Sequence, residues 1–114
     1  MPLDDTHNTP GYVCGRIIAA YELIADWEGK ELPLNDLNLS ATNPMYTIPR
    51  LRAGVVCKAL ARMRLRNPQG VDRVEAYLSD LVARLDCIPE RLDMRQQTDY
   101  VLGHAHQKVV GLPL

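Results

Sequence analysis

Apolar residues recur every three to four positions along four stretches of this 114-residue chain, a period that predicts helices rather than strands. The first stretch is Val13, Ile17, Ala20, Ile24 and Trp27. Thr9-Pro10 opens it as N-cap and first helical residue, and Gly29 closes it. A second long helix starts between Pro44 and Pro49 and runs to Arg66, with Val56, Leu60 and Met63 on one side; Asn67-Pro68-Gln69-Gly70 stops it. From Val71 a third helix gathers Val74, Leu78, Leu81, Val82 and Leu85 on one face and ends before Pro89. Asp93, with Gln96 three residues on, resembles a capping box that opens a fourth helix through Met94, Tyr100, Val101, Leu102 and Ala105 to about Val109. The segment from Lys30 to Asn43 mixes Pro33, Asn35, Asp36 and Asn38 with leucines and reads as a loop pinned to the core by Leu34, Leu37 and Leu39. Connections of about four to eight residues between three of the helices favour antiparallel neighbours. The expectation is an all-α fold, a compact bundle of about four helices in a single domain over residues 1–114, with residues 1–9 and 111–114 flexible.

Composition agrees with that architecture. Phe is absent, aromatic residues are few, and a 46% hydrophobic content suffices for one core but not for two. Cys14, Cys57 and Cys87 are odd in number, widely spaced and without a Cys-x-x-Cys pair, which argues against a disulfide framework or a zinc site. Cys14 and Cys57 fall within apolar periodic faces and read as buried thiols. No apolar run is long enough to cross a bilayer, and the acidic start is unlike an export signal, so a cytoplasmic protein without membrane contact is expected.

Charge changes the picture more than composition does. Residues 50–73 hold seven bases against one acid, while residues 1–49 hold two against seven and residues 74–114 four against six. A near-neutral total therefore conceals a basic block between acidic flanks, an arrangement that draws polyanions to one face. Lys58, Arg62 and Arg66 follow at i, i+4 and i+8 on the side of the second helix away from Val56, Leu60 and Met63. Arg50, Arg52, Arg64 and Arg73 widen the patch, and Arg outnumbers Lys in the block by six to one, which favours bidentate phosphate contact. Only Tyr46 and Tyr77 lie nearby to stack on bases, so backbone contact without sequence readout is expected. The competing reading is a solvated face whose arginines pair with acids on neighbouring helices, although Asp72 is the one acid inside the block. Arg16 either extends the nucleic-acid surface or pairs with Glu22 or Asp26.

No catalytic constellation stands out. His104 and His106, two residues apart, lie about 200° around a helix and cannot converge on one metal. His106-Gln107 reads as a capping or packing pair at the helix end, and Gly15, Gly54 and Gly103 as marks of close helix crossing. The chain is expected to be neither an enzyme nor a holder of a metal or cofactor.

Three stretches carry a family resemblance. They are Tyr12-Val13-Cys14-Gly15-Arg16-Ile17 with Glu22; Ser40-Ala41-Thr42-Asn43-Pro44 followed by Ile48-Pro49-Arg50-Leu51; and Ile88-Pro89 through Leu92 and Gln97 to Leu102-Gly103-His104-Ala105-His106-Gln107-Lys108. In order and spacing they resemble the C-terminal region of the large subunit of the type I-C CRISPR Cascade effector, a region that also occurs as a separate small subunit. Ile48 stands where that family usually has Phe, and His104-Ala105 replaces Tyr-Tyr. A chain that starts with its own Met1 and holds only this region resembles the internally initiated small subunit, and an excised C-terminal domain would look alike. The resemblance implies a non-enzymatic helical subunit of an antiviral complex that packs on crRNA-bearing backbone subunits, the large subunit and further copies of itself. It also implies contact with target DNA at the displaced strand of the R-loop. The alternative is a protein-interaction module whose basic face docks an acidic partner without nucleic acid.

Overall fold

A computed structural model describes residues 8–29 and 42–113 of the chain. The expected leucine-pinned loop at Leu34, Leu37 and Leu39 falls outside the described residues, as do residues 1–7. Among the described residues there are five α-helical pieces: α1 (Pro10–Asp26), α2 (Pro44–Leu51), α3 (Cys57–Arg66), α4 (Pro68–Ala83) and α5 (Met94–Val110). A π-helical turn, Arg52–Val56, joins α2 to α3, so that the two form one bent helix, and among the described residues there is no strand. The all-α bundle of four long helices is thus the fold of the protein.

α1 is the centre of the molecule. Every residue from Gly11 to Tyr21 is buried, as are Ile24 and Ala25, so the helix is covered on all sides rather than along one stripe. The bent α2–α3 helix and α4 contribute Ile48, Leu51, Val56, Leu60, Val71, Val74, Leu78 and Leu81 to the same core. On another side α5 lies along α1 and runs in the same direction, since Gly11 approaches Gln96, Gly15 approaches Tyr100, and Glu22 meets His104 and Lys108. Glycine makes this approach possible. A methyl group on Gly11, Gly15 or Gly103 would overlap the carbonyl oxygen of Gln96, Tyr100 or Tyr12 respectively.

Helix ends depart from the sequence-based expectation in instructive ways. Thr9 precedes α1 as expected, but its hydroxyl donates to Asp99 Oδ2 at 3.1 Å instead of capping the helix. Asp93 does cap α5, its carboxylate accepting from the Gln96 amide at 2.8 Å; the Gln96 side chain, rather than closing the box, accepts from the Gly11 amide at 2.8 Å. One residue, Asn67, separates α3 from α4, because Pro68 needs no amide donor at the first helical position and Asn67 Oδ1 accepts from Gly70 N at 3.0 Å. α4 therefore begins three residues before the expected Val71. It ends at Ala83, and Val82, expected on the inner face, is 38% exposed.

Gly54 bends the second helix. Its φ of −97° and ψ of −106° are not helical, and a Cβ there would meet nothing within 4 Å, so this glycine marks a kink and not a crossing. Cys57 is exposed, contrary to expectation, because the bent helix turns Val56, Ala59 and Leu60 inward and the next position after Val56 points about 100° away. Cys87 is also exposed. Cys14 alone is buried, and burial pushes its thiol up to about 12.

Candidate nucleic-acid interface

The bent helix arranges the basic block in two flanks. Lys58, Arg62 and Arg66 line one flank of α3 and face the C-terminal end of α1, whereas Arg52 and Arg64 face α4. Between the flanks runs an outer strip of Cys57, Ala61 and Leu65, the last 88% exposed.

Carboxylates from outside the block reach both flanks. Glu28, in the turn that follows α1, accepts from Arg62 at 3.2 Å and from Arg66 at 3.1 Å. One helical turn separates those two arginines, so their guanidinium groups converge on one carboxylate. On the other side Arg64 donates to Asp72 at 2.8 Å and to Glu75 at 3.0 Å, and Arg52 lies 3.6 Å from Glu75. Hydrogen bonding to Asp72, reinforced by the charges of Asp72 and Glu75, raises the Arg64 pKa above its usual value. Asp72 is therefore not the only acid available to the block. Lys58 has no ion-pair partner among the described residues; it borders a shallow groove with Val55, Ala59, Arg62 and Glu28.

This pairing does not bury the cations. The arginine side chains stay between 39% and 62% exposed; where the carboxylate is exposed as well, as at Asp72 and Glu75, such pairs contribute about 0–1 kcal/mol each and a phosphate can replace the carboxylate at little cost, whereas Glu28 is only 14% exposed and holds Arg62 and Arg66 more firmly. Four arginines, Arg52, Arg62, Arg64 and Arg66, share three carboxylates and Lys58 pairs with none among the described residues, which leaves a surplus of two positive charges. The basic ridge is outward and partly neutralised, a state between the open surface and the fully paired face.

At one margin of the ridge, Arg50 donates to the Tyr46 hydroxyl at 3.2 Å and its guanidinium lies 5.5 Å from the centre of that ring. Tyr46 is 53% exposed and gives the surface one stacking face. Tyr77, the other aromatic near the block, is directed inward. At the far margin Arg73 Nε donates to the Pro113 carbonyl at 3.4 Å.

Arg16 is not on this surface. It is fully buried within α1, where Nε donates to Gln107 Oε1 at 2.9 Å and Nη2 to the Tyr77 hydroxyl at 3.0 Å. Tyr77 donates in turn to Gln107 at 3.1 Å, and Gln107 Nε2 donates to the Gly111 carbonyl at 2.9 Å. Neither Glu22 nor Asp26 is its partner in these bonds: α5 brings His104 and Lys108 to Glu22 instead. The sequence carried a signal that points inward, since Arg16 sits among Cys14, Ile17 and Ile18 with no polar face nearby. His106 Nδ1 pairs with the Tyr12 hydroxyl at 2.7 Å, so both histidines serve the α1–α5 contact. Among the described residues no three His, Cys, Asp or Glu side chains gather as a metal site. No described helix is long and apolar enough to cross a membrane.

The stretches that carried the family resemblance meet in space. Met45 N donates to Pro89 O at 3.0 Å and Leu92 N to Thr42 O at 3.2 Å, which joins the second stretch to the third; Gly15 and Gly103 join the first to the third. The family model for CRISPR-associated protein (Cas_Csd1) matches residues 1–110. No curated protein matches the chain. The protein belongs to the Cas_Csd1 family of CRISPR-associated proteins.

Proposed function

We propose that this Cas_Csd1-family chain is a non-enzymatic small subunit of a type I-C Cascade complex in the cytoplasm. In this reading it holds nucleic-acid backbone on the α3 ridge and steadies the displaced DNA strand of the R-loop while packing on the crRNA-bearing subunits. The observation that carries the reading is the exposed cationic ridge, on which four arginines share three carboxylates and Lys58 is paired with none of them. Backbone contact fits a surface with one exposed aromatic, and discrimination between sequences is left to guide pairing.

Reconstituting the complex with the Lys58→Glu, Arg62→Glu, Arg66→Glu variant tests this. The expected outcome is normal assembly with a shorter R-loop lifetime; an unchanged lifetime contradicts the role. A second reading has one observation in its favour, namely that the ridge already accepts carboxylates from Glu28, Asp72 and Glu75. In that case an acidic protein docks there, and single-stranded DNA competes with it only if both occupy the ridge.

A further inference from the structure

α5 presents two unlike faces. Tyr100, Gly103 and Gln107 lie against α1, the one described helix against which α5 packs its length. Its outer face carries Met94, Thr98, Val101, Leu102, Ala105 and Val109, which fall within an arc of about 100°. Met94 is 84% exposed, Val101 65% and Val109 69%. A solvated helix face is ordinarily charged, yet Thr98 is the sole polar residue of this strip. Both of its flanking charges are positive, Arg95 on one edge and Lys108 on the other. Arg95 has no ion-pair partner among the described residues, and Lys108 reaches Glu22 only at 3.8 Å. The acids nearest in sequence are engaged elsewhere, Asp93 with the Gln96 amide and Asp99 with the Thr9 hydroxyl.

We infer that the outer face of α5 is a docking surface for an amphipathic helix of a partner protein, one whose apolar stripe is edged by carboxylates. From Met94 to Val109 the strip is about 22 Å long, which suits a partner helix of about four turns seated by contacts at helical spacing. A second copy of this chain fits poorly. A second copy of the same strip offers no free carboxylate to either cationic edge, since Asp93 and Asp99 are already engaged. The inference rests on the proposed subunit role and deepens it, because it assigns protein contact to α5 and nucleic-acid contact to a different helix, α3.

The test pairs Val101→Glu with Val109→Glu, both at exposed positions, and co-expresses the full chain with guide RNA and the remaining subunits of its complex. The expected result is a thermal midpoint and single-stranded DNA affinity close to wild type, with at least about tenfold less variant recovered in the complex. Arg95→Glu alone should reduce recovery several-fold through charge repulsion. Should the glutamate variant lose its thermal transition, Val101→Ser with Val109→Ser makes the same comparison. Recovery of the variants at wild-type stoichiometry overturns the docking surface. Failure of the unmodified chain to enter the complex overturns the subunit role and the inference with it. Self-association of the purified chain that the valine variants abolish overturns the heterologous partner in favour of a second copy.

Discussion

Burial holds Cys14 and Tyr21 neutral, each with a pKa of about 12. An acid whose pKa is higher in the folded state keeps its full stabilising contribution below its unfolded pKa and loses it as pH rises toward the folded one. Alkali therefore destabilises this fold: between pH 8 and pH 10.5 the Cys14 thiol alone costs on the order of 2 kcal/mol, and a smaller loss comes from Tyr21. Urea midpoints measured at the two pH values should show the drop, and Cys14→Ala should flatten it. Glycines at the α1–α5 contact give a second expectation. Gly103→Ala forces a methyl onto the Tyr12 carbonyl and should destabilise by about 3 kcal/mol, whereas Gly54→Ala meets no atom and should stay within about 1 kcal/mol of wild type. Denaturation with urea separates the two. Gly15 and Gly103 were legible from sequence as crossing marks, but Gly54 was not, because a kink and a contact leave the same residue type in a helical pattern. Arg16 is ambiguous in sequence for a related reason: its apolar neighbours point inward, but the polar partners that allow a buried guanidinium, Tyr77 and Gln107, lie far along the chain.

At the scale of elements, periodicity located the four long helices, and the cap residues Pro10, Asp93 and Asn67 stand at or beside the ends they signalled. Joints were harder to read. Asn67-Pro68 is a stop signal and a start signal at once, so the sequence could not show that α4 follows α3 after one residue. The ion pairs of the ridge were hidden for the same physical reason, since Glu28 meets Arg62 and Arg66 across 34 and 38 residues of chain. Removing that carboxylate exposes its value. Glu28→Gln should raise affinity for single-stranded DNA by about two- to fivefold at low salt, because it frees two exposed guanidinium groups from their shared carboxylate. Fluorescence anisotropy with a labelled strand measures this, and a lowered affinity would mean that Glu28 instead positions the arginines for binding.

For the whole molecule, the all-α class and the location of the basic block could be read from hydrophobic period and charge sign, quantities that are local in the chain. Which side chains face outward, and how far the acids quench the block, depend on packing around α1 and became visible only in three dimensions. The result is a molecule with a covered central helix, a partly neutralised ridge on α3 and an uncharged strip on α5. The role proposed for the ridge is to accept nucleic-acid backbone. The most direct measurement is the salt dependence of single-stranded DNA binding by the isolated chain, compared with the Lys58→Glu, Arg62→Glu, Arg66→Glu variant. Three to five phosphate contacts predict a slope of about −2 to −3.5 in log affinity against log salt for wild type, and a slope shallower by about 2 for the variant. Equal slopes and equal affinities at low salt would contradict the account.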